Sequence, residues 1–180
     1  MKISKKITIG EFAALIASHL QSRGIPTVLT GGAVVSIYTE NKYMSYDADF
    51  ISPSDQKSIN KAMFELGFEK IGKDFKHKHT HFFVEFPSGP LAIGGQQVQA
   101  EAELDFKGYK LKLLSPTQSV MDRLAAYFYW NDLQCLDQAI WITEKQPVKI
   151  NKVKAWAKRE GEENKFNHFL QHLKNKNNSK

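Results

Sequence analysis

Two aspartates, Asp47 and Asp49, occupy alternate positions in the segment 46–51, whose other side chains are apolar or aromatic. In a β-strand, alternate side chains project from the same face, so these carboxylates are expected about 7 Å apart along the backbone. Carboxylate oxygens at that separation can hold one or two magnesium ions, because hard divalent cations prefer oxygen ligands. The same spacing also suits exposed acids at a strand edge, so the interpretation depends on the neighbouring elements.

A glycine turn precedes the two aspartates. Residues 28–29 predict a short buried strand, Thr30, Gly31 and Gly32 a turn, and residues 33–39 a helix. Glycine lets the backbone approach a phosphate, and the first turn of a helix presents free amide groups to it. We therefore assign nucleotide binding to this turn. Phosphate binding at one element and metal binding on the next strand is the arrangement that phosphoryl transfer requires.

The secondary-structure signals divide the chain into a mixed half and a helical half. A capping box at Thr8 and Glu11 begins a first helix, and a third helix, after the one over 33–39, is predicted over 54–66. Strands are predicted over 81–86 and in a hairpin over 98–114. Beyond Ser115, which is expected to cap the next helix, four helices are predicted at about 117–129, 132–144, 151–159 and 165–173.

This pattern predicts an α/β (α+β) fold. We expect a small mixed twisted sheet with helices on one face, and a C-terminal helical subdomain that closes one side of a nucleotide cleft. The predicted boundaries are 1–114 for the core, 115–173 for the helical subdomain and 174–180 for a basic flexible tail.

The composition is typical of a globular protein and argues against a membrane protein. The chain has 180 residues, 42% of them hydrophobic and 24% charged, and no apolar stretch approaches the length of a membrane span. Cys135 is the only cysteine, which excludes an intramolecular disulfide and a cysteine-based zinc site and favours a reducing cytoplasm. The formal charge of +6 attracts nucleotides or RNA, although lysines in the segment 174–180 supply part of it.

The string LTGGAVVSIYTENKYMSYDADFI resembles the signature of the DNA polymerase beta-like nucleotidyltransferase superfamily. In that signature a strand, a Gly-Gly or Gly-Ser turn and a helix precede Asp-x-Asp or Asp-x-Glu on the next strand. Three further stretches, FFVEFPSGPLAIG, LLSPTQSVMDRLAAYFYW and QCLDQAIWI, resemble small uncharacterised bacterial members related to abortive-infection and toxin-antitoxin nucleotidyltransferases. The resemblance extends over most of the chain, from about Val28 to Glu163.

The resemblance implies a role for each matching residue. Gly31 and Gly32 would contact the triphosphate, and Asp47 and Asp49 would bind Mg²⁺ or Mn²⁺. The superfamily has a third carboxylate on a later strand, and we assign it to Glu85, a lone acid in an apolar strand. Three rival acids alternate along the predicted hairpin, which indicates a solvated face: Glu101, Glu103 and Asp105. Of these, only Asp105 stays open as an alternative to Glu85.

Three further groups of side chains have more than one interpretation. Arg123 follows Asp122 in the first C-terminal helix, and it either binds the triphosphate or base or belongs to an intrahelical or interdomain ion pair. Three alternating histidines favour a wet or substrate-facing basic strand over a metal site, namely His77, His79 and His81. Helix packing is predicted for the three tryptophans, with nucleobase stacking as the alternative for Trp130, Trp141 and Trp156.

The residues and the resemblance together predict a metal-dependent nucleotidyltransferase. It would move a nucleoside monophosphate from a nucleoside triphosphate to an acceptor and release pyrophosphate. The acceptor stays open between RNA, protein and a small molecule, and a cytoplasmic location is expected. The alternative is a catalytically silent relative that binds nucleotide, RNA or a partner protein, as one half of a toxin-antitoxin pair.

Overall fold

The computed structural model describes the backbone of residues 1–178 and the side-chain surroundings of residues 1–175. The chain forms two compact units. The first comprises Met1–Leu91 and Gln99–Leu114, and the second comprises Ala92–Val98 and the chain from Ser115 onward. Within the described residues, no helix has the length and apolar character that crossing a membrane requires.

A mixed sheet forms the centre of the first unit. Along the chain, the strands are β1 (Val28–Thr30), β2 (Asp47–Ile51), β3 (Glu69–Ile71), β4 (Asp74–Lys76), β5 (Phe83–Glu85), β6 (Ala92–Ile93), β7 (Gln96–Gln97), β8 (Ala102–Phe106) and β9 (Tyr109–Leu113). The order across the sheet is β3-β4-β5-β2-β1-β9-β8, while β6 and β7 pair with each other in the second unit. The β2–β5 and β1–β9 pairs are parallel, and the other pairs are antiparallel.

Three helices belong to the first unit: α1 (Ile9–Ser22), α2 (Gly31–Tyr38) and α3 (Gln56–Glu65). The first packs against β8 and β9, and the second packs against β1 and β2. The fully buried ring of Phe12, on α1, lies 6.0 Å from that of Phe68 and 5.5 Å from that of Phe82. The predicted α/β fold with a mixed sheet is therefore confirmed.

The second unit contains the β6–β7 hairpin and the helices α4 (Pro116–Trp130), α5 (Leu133–Lys145), α6 (Ile150–Arg159) and α7 (Glu163–Asn178). Ser115 and Gln118 form the expected capping box at the start of α4. The ring of Trp156 is fully buried and stacks on that of Phe128 at 5.3 Å. Of the predicted tail, residues 174–178 belong to α7, and residues 179–180 lie outside the described residues.

Several local predictions were wrong or incomplete. The histidines were assigned to a possible strand, but β4 ends at Lys76, and His77, His79 and His81 lie in the connection between β4 and β5. The strand expected from residue 98 begins only at Ala102. The strands β4, β6 and β7 were not anticipated, because two or three residues are too few to display an alternation of apolar and polar side chains.

Glu11 links the start of α1 to the turn between β8 and β9. Its carboxylate accepts a hydrogen bond from the Thr8 amide at 3.1 Å and pairs with the Lys107 ammonium. Lys107 foremost, and then the Thr8 amide, hold the pKa of Glu11 below its ordinary value of 4.5. A lowered folded-state pKa means that the stabilisation is present above the unfolded-state pKa and is lost as the pH falls through the folded-state pKa.

We therefore expect Glu11→Gln to lower the free energy of unfolding at pH 7 by about 0.3–1 kcal/mol, since an acid in the first turn of a helix is stabilising. Urea denaturation of both proteins between pH 7 and pH 3 measures this difference, which should shrink as the pH falls below 4.5. Glu103→Gln is the control, because Glu103 forms only an exposed pair with Lys110. A loss for Glu11→Gln that is the same at both ends of the pH range would contradict the electrostatic explanation.

Candidate active site

The predicted aspartates lie on β2, which is flanked by β1 and β5 near the middle of the sheet. Along β2, Ala48 and Phe50 are fully buried, whereas Asp47 and Asp49 are partly exposed. Because alternate side chains of a strand point to opposite faces, the two carboxylates project together from the face opposite the apolar core. The strand therefore presents both acids to one side of the sheet.

Glu85 lies next to this pair. Strand β5 runs parallel to β2, with Asp47 opposite Phe83 and Asp49 opposite Glu85. Register partners on neighbouring strands lie about 4.8 Å apart in the hydrogen-bonding direction and point to the same side. The structure thus brings Asp47, Asp49 and Glu85 to one face of two adjacent strands.

The rival acids lie elsewhere in the first unit. Glu103 and Asp105 belong to β8 at the far edge of the sheet, and β1 and β9 separate that strand from β2. Both side chains are exposed: Glu103 pairs with Lys110 at 3.1 Å, and Asp105 accepts a hydrogen bond from the Gly108 amide at 2.8 Å. Glu101 precedes the strand and is also exposed.

The glycine turn joins β1 directly to α2 and touches Asp49. Gly31 is the first residue of α2 and has a φ angle of +68°, a left-handed conformation that favours glycine. A Cβ atom at this position would lie 2.5 Å from Oδ2 of Asp49. The Thr30 hydroxyl donates a hydrogen bond to the backbone carbonyl of Asp49 at 3.3 Å. Both the backbone conformation and the approach of the carboxylate therefore require glycine at residue 31.

Ser45 connects the same turn to Asp47 and was not anticipated from the sequence. Its hydroxyl donates to the Asp47 carboxylate and lies where a Cβ atom on Gly32 would approach it to 2.8 Å. The Ser45 amide donates to the Ser36 hydroxyl at 2.8 Å, and that hydroxyl donates to the Gly32 carbonyl at 3.2 Å. These contacts fix the position of Asp47 relative to the start of α2.

Lys73 forms an ion pair with Glu85 and was not anticipated from the sequence either. It lies in the turn between β3 and β4, and its ammonium is 2.9 Å from Oε2 of Glu85. The lysine side chain is 79% exposed and that of Glu85 only 16%. Glu85 is the main cause of a raised Lys73 pKa, with smaller contributions from Asp74 and Asp49. Lys73 therefore supplies positive charge to the face of the sheet that carries Asp47, Asp49 and Glu85, which is called the acidic face below.

The donor chemistry of this face suits a hard divalent cation, because Asp47, Asp49 and Glu85 offer only carboxylate oxygens. The bare Gly31 backbone beside Asp49 leaves space that a side chain would fill. Among the described residues, no three His, Cys, Asp or Glu side chains already surround one metal position. Glu85 is instead turned to Lys73 and Asp47 to Ser45, so metal binding here requires side-chain rotation.

Arg123 belongs to the second unit, where it pairs with Asp122. Its Nη2 atom lies 2.6 Å from the Asp122 carboxylate, and its Nη1 atom donates to Oε1 of Gln138 at 3.5 Å. The ion pair that the sequence offered as one interpretation therefore exists. A role for Arg123 in nucleotide binding stays a prediction.

The histidines do not join the acidic face. The ring of His77 lies 5.2 Å from that of Phe68, and burial is the main cause of its lowered pKa, ahead of His79 and Lys78. His77 and His79 line a cavity of about 870 Å³ together with residues of the N-terminal segment and of α1. None of the three clustered acids lines that cavity.

Comparison with known proteins gives two similar solved structures. The first is an antigenic nucleotidyltransferase-like protein from Paracoccidioides brasiliensis, with 17% identity, a TM-score of 0.58 and coverage of 78% of each chain. The second is the antibiotic-resistance factor ANT(2'')-Ia, with 12% identity, a TM-score of 0.54 and coverage of 96% of this chain and 97% of the other. No family model and no curated protein matches the sequence. The structural likeness shows that the chain has a nucleotidyltransferase-like fold.

The close approach of Gly31 to Asp49 predicts an unequal effect of two glycine substitutions. Gly31→Ala and Gly24→Ala place alanine at φ angles of +68° and +72°, but the new Cβ atom meets Asp49 only at residue 31. Backbone strain should cost about 1 kcal/mol at each site, and the displaced carboxylate should make the loss larger for Gly31→Ala. Urea denaturation measures both, and equal losses would show that the contact with Asp49 is unimportant for stability.

Proposed function

We propose that this protein is a divalent-metal-dependent nucleotidyltransferase that transfers a nucleoside monophosphate from a nucleoside triphosphate to an acceptor. The observation that carries the proposal is the pairing of Asp49 with Glu85 in register, on strands that place Asp47 on the same face. The glycine turn at the start of α2 lies against these acids. The fold shared with a nucleotidyltransferase-like protein supports the same function.

Each part of the face has a role in this proposal. Asp47, Asp49 and Glu85 would hold Mg²⁺ or Mn²⁺, and the amide groups at the start of α2 would bind the triphosphate. The bound metal would neutralise phosphate charge and favour ionisation of the acceptor hydroxyl. The acceptor oxygen bonds to the α-phosphorus while the bond to the β-phosphate oxygen breaks, and pyrophosphate leaves. Glu85 would take the acceptor proton.

Three carboxylates on one face attract a cation, and Lys73 provides one at Glu85. In the proposed site, a divalent ion has to compete with this ammonium group for the same carboxylate. Removing Lys73 should therefore strengthen the binding of a divalent ion. Since the lysine is mostly exposed, the gain is expected to be modest, roughly two- to fivefold in the dissociation constant.

Calorimetric titration of Mn²⁺ into the Lys73→Met variant tests this competition without a nucleotide. The matched control is Lys76→Met, which removes a lysine of the same hairpin whose ammonium lies 3.5 Å from Asp74. Tighter binding should appear only in Lys73→Met. An equal change in both variants would attribute the effect to net charge alone and would overturn the competition.

The acceptor is a hydroxyl or phosphate group on an RNA, a protein or a small molecule. A panel of the four α-labelled triphosphates, with cell extract as the source of acceptors, covers all three classes. The label becomes attached to a product only if transfer occurs, so the assay identifies both the base and the class of acceptor.

Asp49→Asn should abolish the metal-dependent transfer of label, because the substitution removes the carboxylate that contacts the glycine turn and lies opposite Glu85. The substitution preserves the shape of the side chain. We expect a loss of at least about 100-fold in rate, as is typical when charge stabilisation in a transition state is removed. Asp105→Asn, on the exposed edge strand β8, should retain the rate of the unmodified protein. Transfer that persists in Asp49→Asn would contradict the assignment of the active site.

A further inference from the structure

The second unit contains a cavity, called the slot below, whose lining includes none of Asp47, Asp49 and Glu85. It is a cavity of about 500 Å³ between α4 and the β6–β7 hairpin, and volumes of this size are typical of small-molecule sites. Small residues dominate its lining: Ala92, Gly94, Gly95, Ala125 and Ala126. Because alanine and glycine side chains project little, this lining leaves room in which a planar ring can lie.

Two aromatic side chains also line the slot, Tyr129 and Trp130. Trp130 is 77% exposed and Tyr129 is 49% exposed, and their rings meet edge to face at 6.3 Å. The buried Trp156 packs on Phe128 as predicted, whereas Trp130 has most of its surface in solvent. Large exposed aromatic rings beside a cavity are typical of binding surfaces, because they offer an apolar face at little entropic cost.

The hairpin side of the slot is held in place by Glu160. This carboxylate accepts hydrogen bonds from the Gly95 amide at 3.2 Å and from Gln96 Nε2 at 3.4 Å. It also accepts a hydrogen bond from the hydroxyl of Tyr129. Gly94 has a φ angle of +58°, and a Cβ atom there would lie 2.7 Å from Oε2 of Glu160. The Glu160 carboxylate therefore fixes the positions of both the hairpin and the Tyr129 side chain.

A largely buried ion pair contributes the polar lining. Nε and Nη2 of Arg123 both donate to Oδ2 of Asp122, at 3.1 and 2.6 Å. The pair places a carboxylate acceptor and guanidinium donors side by side, and both residues line the slot. A ligand edge that itself carries a donor next to an acceptor complements this arrangement.

We propose that this slot binds the base of a nucleotide. A nucleobase is planar, stacks on an aromatic ring through its face, and carries adjacent donors and acceptors on its edge. The small lining, Trp130 and the Asp122–Arg123 pair match these three properties. The inference goes beyond the proposed function, since every residue of the slot belongs to the second unit and the three acids belong to the first.

Binding of the four nucleoside monophosphates, measured by calorimetry and Trp fluorescence in EDTA, tests the slot without a metal ion. At least one of them should bind, and ribose 5-phosphate, which lacks a base, should not. Ala126→Leu fills the slot on a helix that tolerates leucine. Trp130→Ala removes the exposed ring. Each variant should weaken binding roughly tenfold, the usual effect of losing one base–aromatic contact.

Two controls separate this proposal from the acidic face and from misfolding. Gln134→Leu adds the same side chain at an exposed position of α5 outside the slot, and it should bind like the unmodified protein. Asp49→Asn should also retain base binding in EDTA, even though it loses transfer. Failure of every monophosphate to bind, or equal binding by Ala126→Leu and Gln134→Leu, would contradict the proposal that the slot binds a base. Loss of transfer alone would leave it standing.

Discussion

Three carboxylates on neighbouring strands repel one another, and the candidate site depends on how this repulsion is balanced. Two unit charges about 4 Å apart interact by roughly 1 kcal/mol even in water and by more where solvent is excluded. The structure balances the acids locally: the Ser45 hydroxyl donates to Asp47, and the Lys73 ammonium lies at Glu85. The β2–β5 pairing keeps the acids together, so any cation drawn to one of them is drawn to the set.

Much of the first unit could be predicted because its signals are local. The alternation around Asp47 and Asp49 defines their strand and its polar face, and the glycines define the turn before it. The capping boxes at Thr8 and Ser115 mark helix starts within a few residues of where they occur. In each case, the residues that determine the structure are neighbours along the chain.

The parts that were missed depend on contacts between distant residues. Lys73 meets Glu85 only because β4 folds back between β3 and β5, and three-residue strands carry no readable period. Glu85 could be chosen as a lone acid in an apolar strand, but its register opposite Asp49 exists only in the folded sheet. The slot depends on Glu160 reaching Gly95, which is 65 positions away. The alternation of the three histidines led to a wrong strand prediction, because residue types can alternate in a turn as easily as in a strand.

The direct junction between β1 and α2 has a consequence for how this protein can vary. Strand β1 ends at Thr30 and α2 begins at Gly31, so no connecting residue can absorb an insertion or deletion. One added residue would rotate the helix by about 100° and carry its amides away from Asp49. Insertions and deletions are therefore expected in connections with residues to spare, such as the connection between α2 and β2.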